Sequence, residues 1–247
     1  MIYLRKLKAV LSLALGANLL FTCATKPGGS AAQMDNTLTK SEAKGGWVLL
    51  FDGKSMDNFR GFRKEEVPAS WGIEDAAVAL VGRGGGDILT KNQYENYELM
   101  LDWKISEGGN SGIIYNVSID PKYGATYVTG PEMQVLDDER HPDAKMGKNN
   151  NRQAGSLYDL IPLSMPAVKP AGQWNAAKLV VNKGHVEHWL NGKKVIEYQL
   201  LSPEWEAMVK ESKFASMPDY GRMPKGYIAL QDHGNKVWYK NIKIRQL

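Results

Sequence analysis

The chain has 247 residues, of which 43% are hydrophobic, 23% charged and 9% aromatic, proportions that exclude a disordered, collagen-like or coiled-coil protein. Its 31 basic and 27 acidic residues give a net charge of +4, but Arg5, Lys6 and Lys8 stand in a first segment without an acid, so the remainder is close to neutral. No basic stripe survives to attract a nucleic acid, and a single cysteine, Cys23, excludes an internal disulfide framework or a thiolate zinc site.

Met1 to Lys8 is basic, and Ala9 to Phe21 is an apolar run of 13 residues. A bilayer crossing needs about 20 apolar residues, so residues 1–22 read as a secretory signal. The run ends in Leu20-Phe21-Thr22-Cys23, which resembles the lipobox of bacterial lipoproteins, although Thr22 departs from the usual Gly, Ala or Ser. The expectation is cleavage before Cys23 and lipidation of its thiol, giving an exported, membrane-anchored protein of a bacterial cell envelope; ordinary type I cleavage nearby is the alternative. Residues 23–44 lack aromatics and apolar periodicity and read as a flexible tether. The folded domain is expected over residues 45–247, where all seven tryptophans lie.

From Trp47 onward, short alternating segments are separated by Gly, Asn and Asp: 47–51, 71–73, 77–81, 97–105, 112–117, 132–136, 178–182, 185–190, 194–198, 226–231 and 237–245. Such spacing predicts an all-β, two-sheet sandwich or barrel. Asn191-Gly192 between two alternating runs predicts a type I′ hairpin, because both turn positions need positive φ. Ser202-Pro203-Glu204 reads as an N-cap, a first-turn proline and an acid, and Trp205, Met208 and Val209 continue at helical spacing. One short inserted helix is therefore expected there. Gly82 to Gly86 is glycine-rich, but no helical pattern follows it, which argues against a phosphate loop.

Within this frame stand, in order, Leu50-Phe51-Asp52-Gly53-Lys54-Ser55, Gly109-Asn110-Ser111-Gly112-Ile113, Pro131 to Asp137, Gly155-Ser156-Leu157-Tyr158, His188 to Gly192, Leu230 to Gly234 and Tyr239 to Ile242. This ordered set closely resembles the bacterial 3-keto-disaccharide (3-keto-glycoside) hydrolase family over about Gly45 to Leu247. The resemblance implies an antiparallel jelly roll of the concanavalin A type and activity on glycosides already oxidised at C3. A sugar 3-dehydrogenase acting upstream to supply the ketone is a candidate partner.

Side chains two apart on a strand share a face, so Glu132 and Gln134 point one way while Met133 and Val135 point the other. Glu132 reads either as an ion-pair partner on a solvated face or as an acid/base with Gln134 binding a sugar hydroxyl; the resemblance favours the second. Asp137 reaches that face only if the strand bulges, as a two-carboxylate glycosidase would require. His233 beside Gln231, near a strand end, is a second acid/base candidate, and His141 in the polar loop 137–151 is a third. Tyr115 and Tyr158 are expected to stack on a sugar or donate to it. His188 is balanced between a substrate contact and a satisfied half-buried histidine. His185 and His188 are three apart and face opposite ways, which argues against a shared metal. Trp103, Trp189 and Trp238 read as core. No cofactor is expected, with calcium on Asp137, Asp138, Glu139 and Asp143 as the alternative.

A ketone at C3 acidifies the C2 hydrogen, so the expected route is proton abstraction, elimination of the C1 substituent and rehydration, with Glu132 and His233 dividing the acid and base roles. A non-catalytic carbohydrate-binding module, a conventional glycoside hydrolase and a purely structural lipoprotein remain as alternatives.

Overall fold

The computed structural model describes residues 34–247. The expected signal segment and Cys23 lie outside the described residues, so the lipidation reading has no structural counterpart. Among the described residues, two α-helices, α1 (Lys40–Lys44) and α2 (Pro203–Lys210), accompany thirteen strands. The first seven strands are β1 (Val48–Leu49), β2 (Phe59–Gly61), β3 (Trp71–Glu74), β4 (Ala77–Leu80), β5 (Ile88–Thr90), β6 (Tyr97–Ile105) and β7 (Asn110–Val117). They are followed by β8 (Glu132–Leu136), β9 (Asn175–Asn182), β10 (His185–Leu190), β11 (Lys193–Gln199), β12 (Tyr227–Leu230) and β13 (Val237–Gln246). All strand pairings are antiparallel.

The larger sheet runs β11-β10-β9-β6-β13-β4-β3, with β1 also paired to β13; the smaller runs β2-β5-β12-β7-β8. The fold is a two-sheet jelly-roll sandwich, as expected. Its alternation is clearest in β6, where every second residue from Tyr97 to Ile105 is buried. Those side chains meet Ile113, Tyr115, Met133 and Val135 of the smaller sheet in one core. The Asn191-Gly192 turn has φ of 50° and 81° and joins Leu190 to Lys193, as the type I′ reading requires.

Helix α2 begins where the sequence placed it, with the Ser202 hydroxyl accepting from Trp205 N–H at 3.2 Å. Trp205 is fully buried and parallel to Tyr198 at 5.3 Å and Tyr220 at 5.8 Å, and Tyr220 stacks on Phe214 at 4.0 Å. This ladder of rings fixes the 3₁₀ turn Lys213–Ser216 against the sandwich.

One boundary differs from expectation. The expected flexible tether extends to residue 44, yet Asn36 is buried and exchanges backbone and side-chain hydrogen bonds with Asn241 at 2.6 and 2.8 Å. Its amide also donates to Ala76 O, Asp35 pairs with Lys240, and α1 carries a complete capping box between Thr39 and Glu42. The folded body therefore includes these residues. The sequence concealed this because the attachment is made by amides and ion pairs, which leave no apolar periodicity.

Candidate active site

The outer face of the smaller sheet ends in a hollow of about 150 Å³ lined by Asn110, Tyr127, Glu132, Gln134, Tyr158, Lys213, Phe214, Gln231 and His233. Strand pairing builds it: Glu132 stands opposite Ile114 and Gln134 opposite Gly112. Gly112 is required here, since a Cβ at that position would lie 2.1 Å from Glu132 Oε1. The free edge of β8 is covered by residues 155–158. Gly155 N–H donates to Gln134 O, Gln134 N–H to Ser156 O, and Tyr158 N–H to Glu132 O, at 2.8 to 3.1 Å. That extra backbone ladder delivers Tyr158 beside Glu132.

Glu132 is 5% exposed, and no group among the described residues hydrogen-bonds its carboxyl. Burial pushes its pKa up to about 8, opposed by the nearby Lys213 ammonium and reinforced by Asp87 and Asp143. It therefore holds its proton at neutral pH. Burial conversely lowers the pKa of Lys213, whose amine lies 4.0 Å from the Tyr158 ring centroid. The Tyr158 hydroxyl donates to Asp143 at 2.7 Å, and Arg152 bridges Asp143 and Asp159 at 2.9 and 2.6 Å. Gln134 accepts from Val135 N–H through its amide oxygen, leaving its NH₂ for the hollow. The Asn110 amide oxygen is buried without a hydrogen-bond partner among the described residues.

His233 is presented by a loop locked at both ends. Asp87 accepts from Asp232 N–H at 2.8 Å, and Asp232 accepts from Gly86 and Gly234 N–H at 3.0 and 2.9 Å. The His233 ring makes no hydrogen bond among the described residues and meets His141 edge-on at 6.1 Å between centroids. Burial lowers the pKa of His141, helped by His233, so its ring is neutral at pH 7. Its Nδ1 accepts from Asp143 N–H at 3.2 Å, which places the ring proton on Nε2.

The fold thus brings together Glu132, Gln134, Tyr158, Gln231 and His233, with His141 against His233. Three expected site residues lie elsewhere. Tyr115 and His188 point into the core: the Tyr115 hydroxyl meets His188 Nε2 at 2.9 Å, and His188 Nδ1 meets Gly155 O at 3.2 Å. Burial lowers the His188 pKa to about 4, so it is a satisfied neutral core histidine. Strand parity sends Tyr115 the way of Ile113, away from Gly112 and Glu132. Asp137 is buried and turned onto Gly108 and Glu139 N–H and Arg140, and no bulge brings it to the Glu132 face.

The acidic loop does not converge on one point either: Asp138 accepts from Ala154 N–H, Glu139 pairs with Arg140, and Asp143 is held by Arg152 and Tyr158. Trp189 and Trp238, expected in the core, are on the outer face of the larger sheet, with Lys178 and Lys104 over their rings at 4.0 and 4.3 Å. Lys213, Phe214 and Tyr127 carry no sequence signal of a site, because they come from 3₁₀ turns without periodicity. Asn110 stands within the motif Gly109-Asn110-Ser111-Gly112-Ile113, but the burial of its amide oxygen is set by the tertiary structure.

A hollow of about 640 Å³ lies elsewhere, between β1, residues 92–96 and the C-terminus. Its volume is greater, but it lacks a buried acid paired with a free imidazole, and chemistry rather than size selects the smaller one.

A family profile for the 3-keto-alpha-glucoside-1,2-lyase-like domain matches residues 46–245. A 3-keto-disaccharide hydrolase of Bacteroides thetaiotaomicron is 40% identical over 244 residues, covering 88% of this chain and 83% of that protein. Two crystal structures of Parabacteroides distasonis proteins, both provisionally assigned as glycosyl hydrolases, are also similar. The first is 36% identical with a TM-score of 0.79, covering 87% of this chain and all of the other; the second is 29% identical with a TM-score of 0.61, covering 81% and 99%. The chain belongs to the 3-keto-alpha-glucoside-1,2-lyase-like domain family.

Proposed function

We propose that this protein is a carbohydrate-processing enzyme that cleaves 3-keto-glycosides, including 3-keto-disaccharides, by elimination and rehydration. The observation that carries the reading is that Glu132 is the one carboxylic acid lining the hollow, buried and protonated, in the same hollow as an unbonded imidazole. Ordinary glycosidases require two carboxyl groups on the scissile bond. A single acid and a base suffice when a neighbouring ketone makes a C–H bond acidic.

In this reading His233 removes the C2 proton, and the electron pair becomes the enolate of the C3 ketone. Lys213 and the Gln134 NH₂ stabilise the enolate oxygen, in a site where burial strengthens such contacts. The enolate re-forms the ketone as the C1–O bond breaks, and Glu132 delivers its proton to the departing oxygen. Water then adds its hydroxyl to C1 while giving its proton back to Glu132, and the protonated His233, equilibrated with solvent, returns a proton to C2, which restores the saturated 3-keto sugar and both catalytic groups. Asn110, Gln231 and Tyr158 orient the ring, and His141, neutral and held by Asp143 N–H, positions His233 from behind.

Turnover of matched oxidised and unoxidised disaccharides tests the proposal. Cleavage of the oxidised substrate, with deuterium entering C2 in D₂O, is expected. Cleavage of the unoxidised one at a comparable rate, or product without deuterium at C2, overturns it. Export with acylation of Cys23 completes the reading; palmitate labelling that persists in Cys23→Ala would refute the anchor.

A further inference from the structure

We propose that the cleft beside the site, between the loops 85–87 and 124–127, is the leaving-group subsite and selects ring-shaped leaving groups with an apolar face. This rests on the reaction reading above and adds to it where the departing half of the substrate sits.

The cleft measures about 360 Å³ and is lined by Phe62, Lys64, Gly85, Gly86, Asp87 and the run Gly124 to Tyr127. It shares Tyr127, Gln231 and His233 with the catalytic hollow, so a substrate spanning both passes directly over the imidazole. The two halves differ in chemistry. The catalytic hollow has room of about 150 Å³ and is crowded with an acid, an amine and amides, which suits one oxidised sugar ring. The cleft is wider, and its floor is apolar: Phe62 packs on the outer-face cluster of Leu89, Ile114, Val117 and Ala229. The Tyr127 ring, 44% exposed, stands at the junction.

Apart from Gln231 and His233, which the cleft shares with the catalytic hollow, the charged side chains around it are engaged with the protein. Asp87 is bonded to Thr126 Oγ1 and Asp232 N–H, and Lys64 donates to Gly85 O. What remains for a ligand is the flat surface of Phe62 and Tyr127, the kind of surface that stacks on a pyranose or an aryl ring. A small leaving group would leave this surface in water and gain nothing from it.

Gly124 offers a selective test, because a Cβ there meets nothing within 4 Å. Because Gly124 lines the cleft, Gly124→Leu places a larger side chain at its wall without a clash at the Cβ. The probes are three 3-keto-glucosides, with a glucosyl, a 4-nitrophenyl and a methyl leaving group; the first two separate a sugar from an aryl source of the ring. In Gly124→Leu, kcat/KM for the ring-bearing substrates should fall relative to the methyl glucoside by about tenfold or more, the scale of a filled apolar pocket.

Tyr127→Ala removes one stacking face and should shift the same ratio in the same direction. A ratio unchanged within about twofold in both variants, or an equal loss on all three substrates, overturns the subsite. If the wild type turns over none of them, the reaction reading fails on its own. The cleft is then decided by calorimetry: a disaccharide that binds the wild type more tightly than methyl glucoside does, and loses that advantage in Gly124→Leu, supports it, and equal binding by both overturns it.

Discussion

The two outward faces of the sandwich follow the same strand alternation but resolve their polar groups in opposite ways. On the larger sheet, Lys178 covers Trp189 while the indole N–H of Trp189 donates to Glu187, and Lys104 covers Trp238 while that indole donates to Glu74. His185, Glu187 and Glu197 come close enough there to hold a metal, but the Lys194 ammonium already bridges the two glutamates. On the smaller sheet, the buried Glu132 carboxyl and the Asn110 amide oxygen have no hydrogen-bond partner among the described residues. A face that satisfies its charges is a solubilising surface, and one that leaves a buried acid unanswered retains a cost that stability alone does not explain.

The largest effect expected from breaking this contrast is at Glu132. Glu132→Gln should lower kcat on a 3-keto-disaccharide by about 10²–10⁴-fold and at the same time stabilise the fold. The sign follows from linkage: the unfolded glutamate loses its proton near 4.5 and the folded one near 8, so wild-type stability falls as pH rises through that window. The variant escapes this loss, by about 3 kcal/mol at pH 7. Denaturant melts at pH 4, 6 and 8 should show the variant's advantage growing with pH; an advantage that shrinks with pH contradicts the buried-acid reading. The wild-type rate should also decline above about pH 8 as Glu132 gives up its proton.

Next in size is Gly112→Ala, whose methyl would collide with the Glu132 side chain and swing the carboxyl aside. A roughly 10²-fold loss of kcat is expected from misplacement, with a modest change in melting temperature. A variant with full activity would show that the position of the carboxyl over Gly112 is irrelevant.

Tyr115→Phe moves to the interior. Removing the hydroxyl strips His188 Nε2 of its partner, and the expected cost is about 1–3 kcal/mol of stability with kcat preserved. Selective loss of kcat at unchanged stability would return Tyr115 to the site. The smallest effect is expected on the larger sheet, where Trp189→Ala should cost no more than about 1 kcal/mol from the lost cation–π contact and leave turnover untouched.

Much of the contrast was readable from spacing alone. Alternation placed Glu132 and Gln134 opposite Met133 and Val135, and the structure puts the first pair in the hollow and the second in the core. Parity also separated His185 from His188, one half-buried at the surface and one fully buried. Parity applied to Tyr115 would have removed it from the site, since it shares a face with Ile113 and not with Gly112. For Trp189 and Trp238, hydrophobicity suggested the core, but a lysine on the neighbouring strand covers each ring, and that pairing depends on sheet order.

The chain's own periodicity determined an antiparallel sandwich, the Asn191-Gly192 hairpin, helix α2 and the face on which Glu132 stands, because those depend on backbone preferences that act over a few residues. Only the tertiary structure decided that Lys213 reaches Glu132, that His141 backs His233, that residues 155–158 close the β8 edge and that residues 34–44 join the body. Each of these is a meeting of segments far apart in sequence, held by side-chain hydrogen bonds, ring stacking and burial. Only in the assembled fold is a carboxyl cut off from water strongly enough to keep its proton at neutral pH.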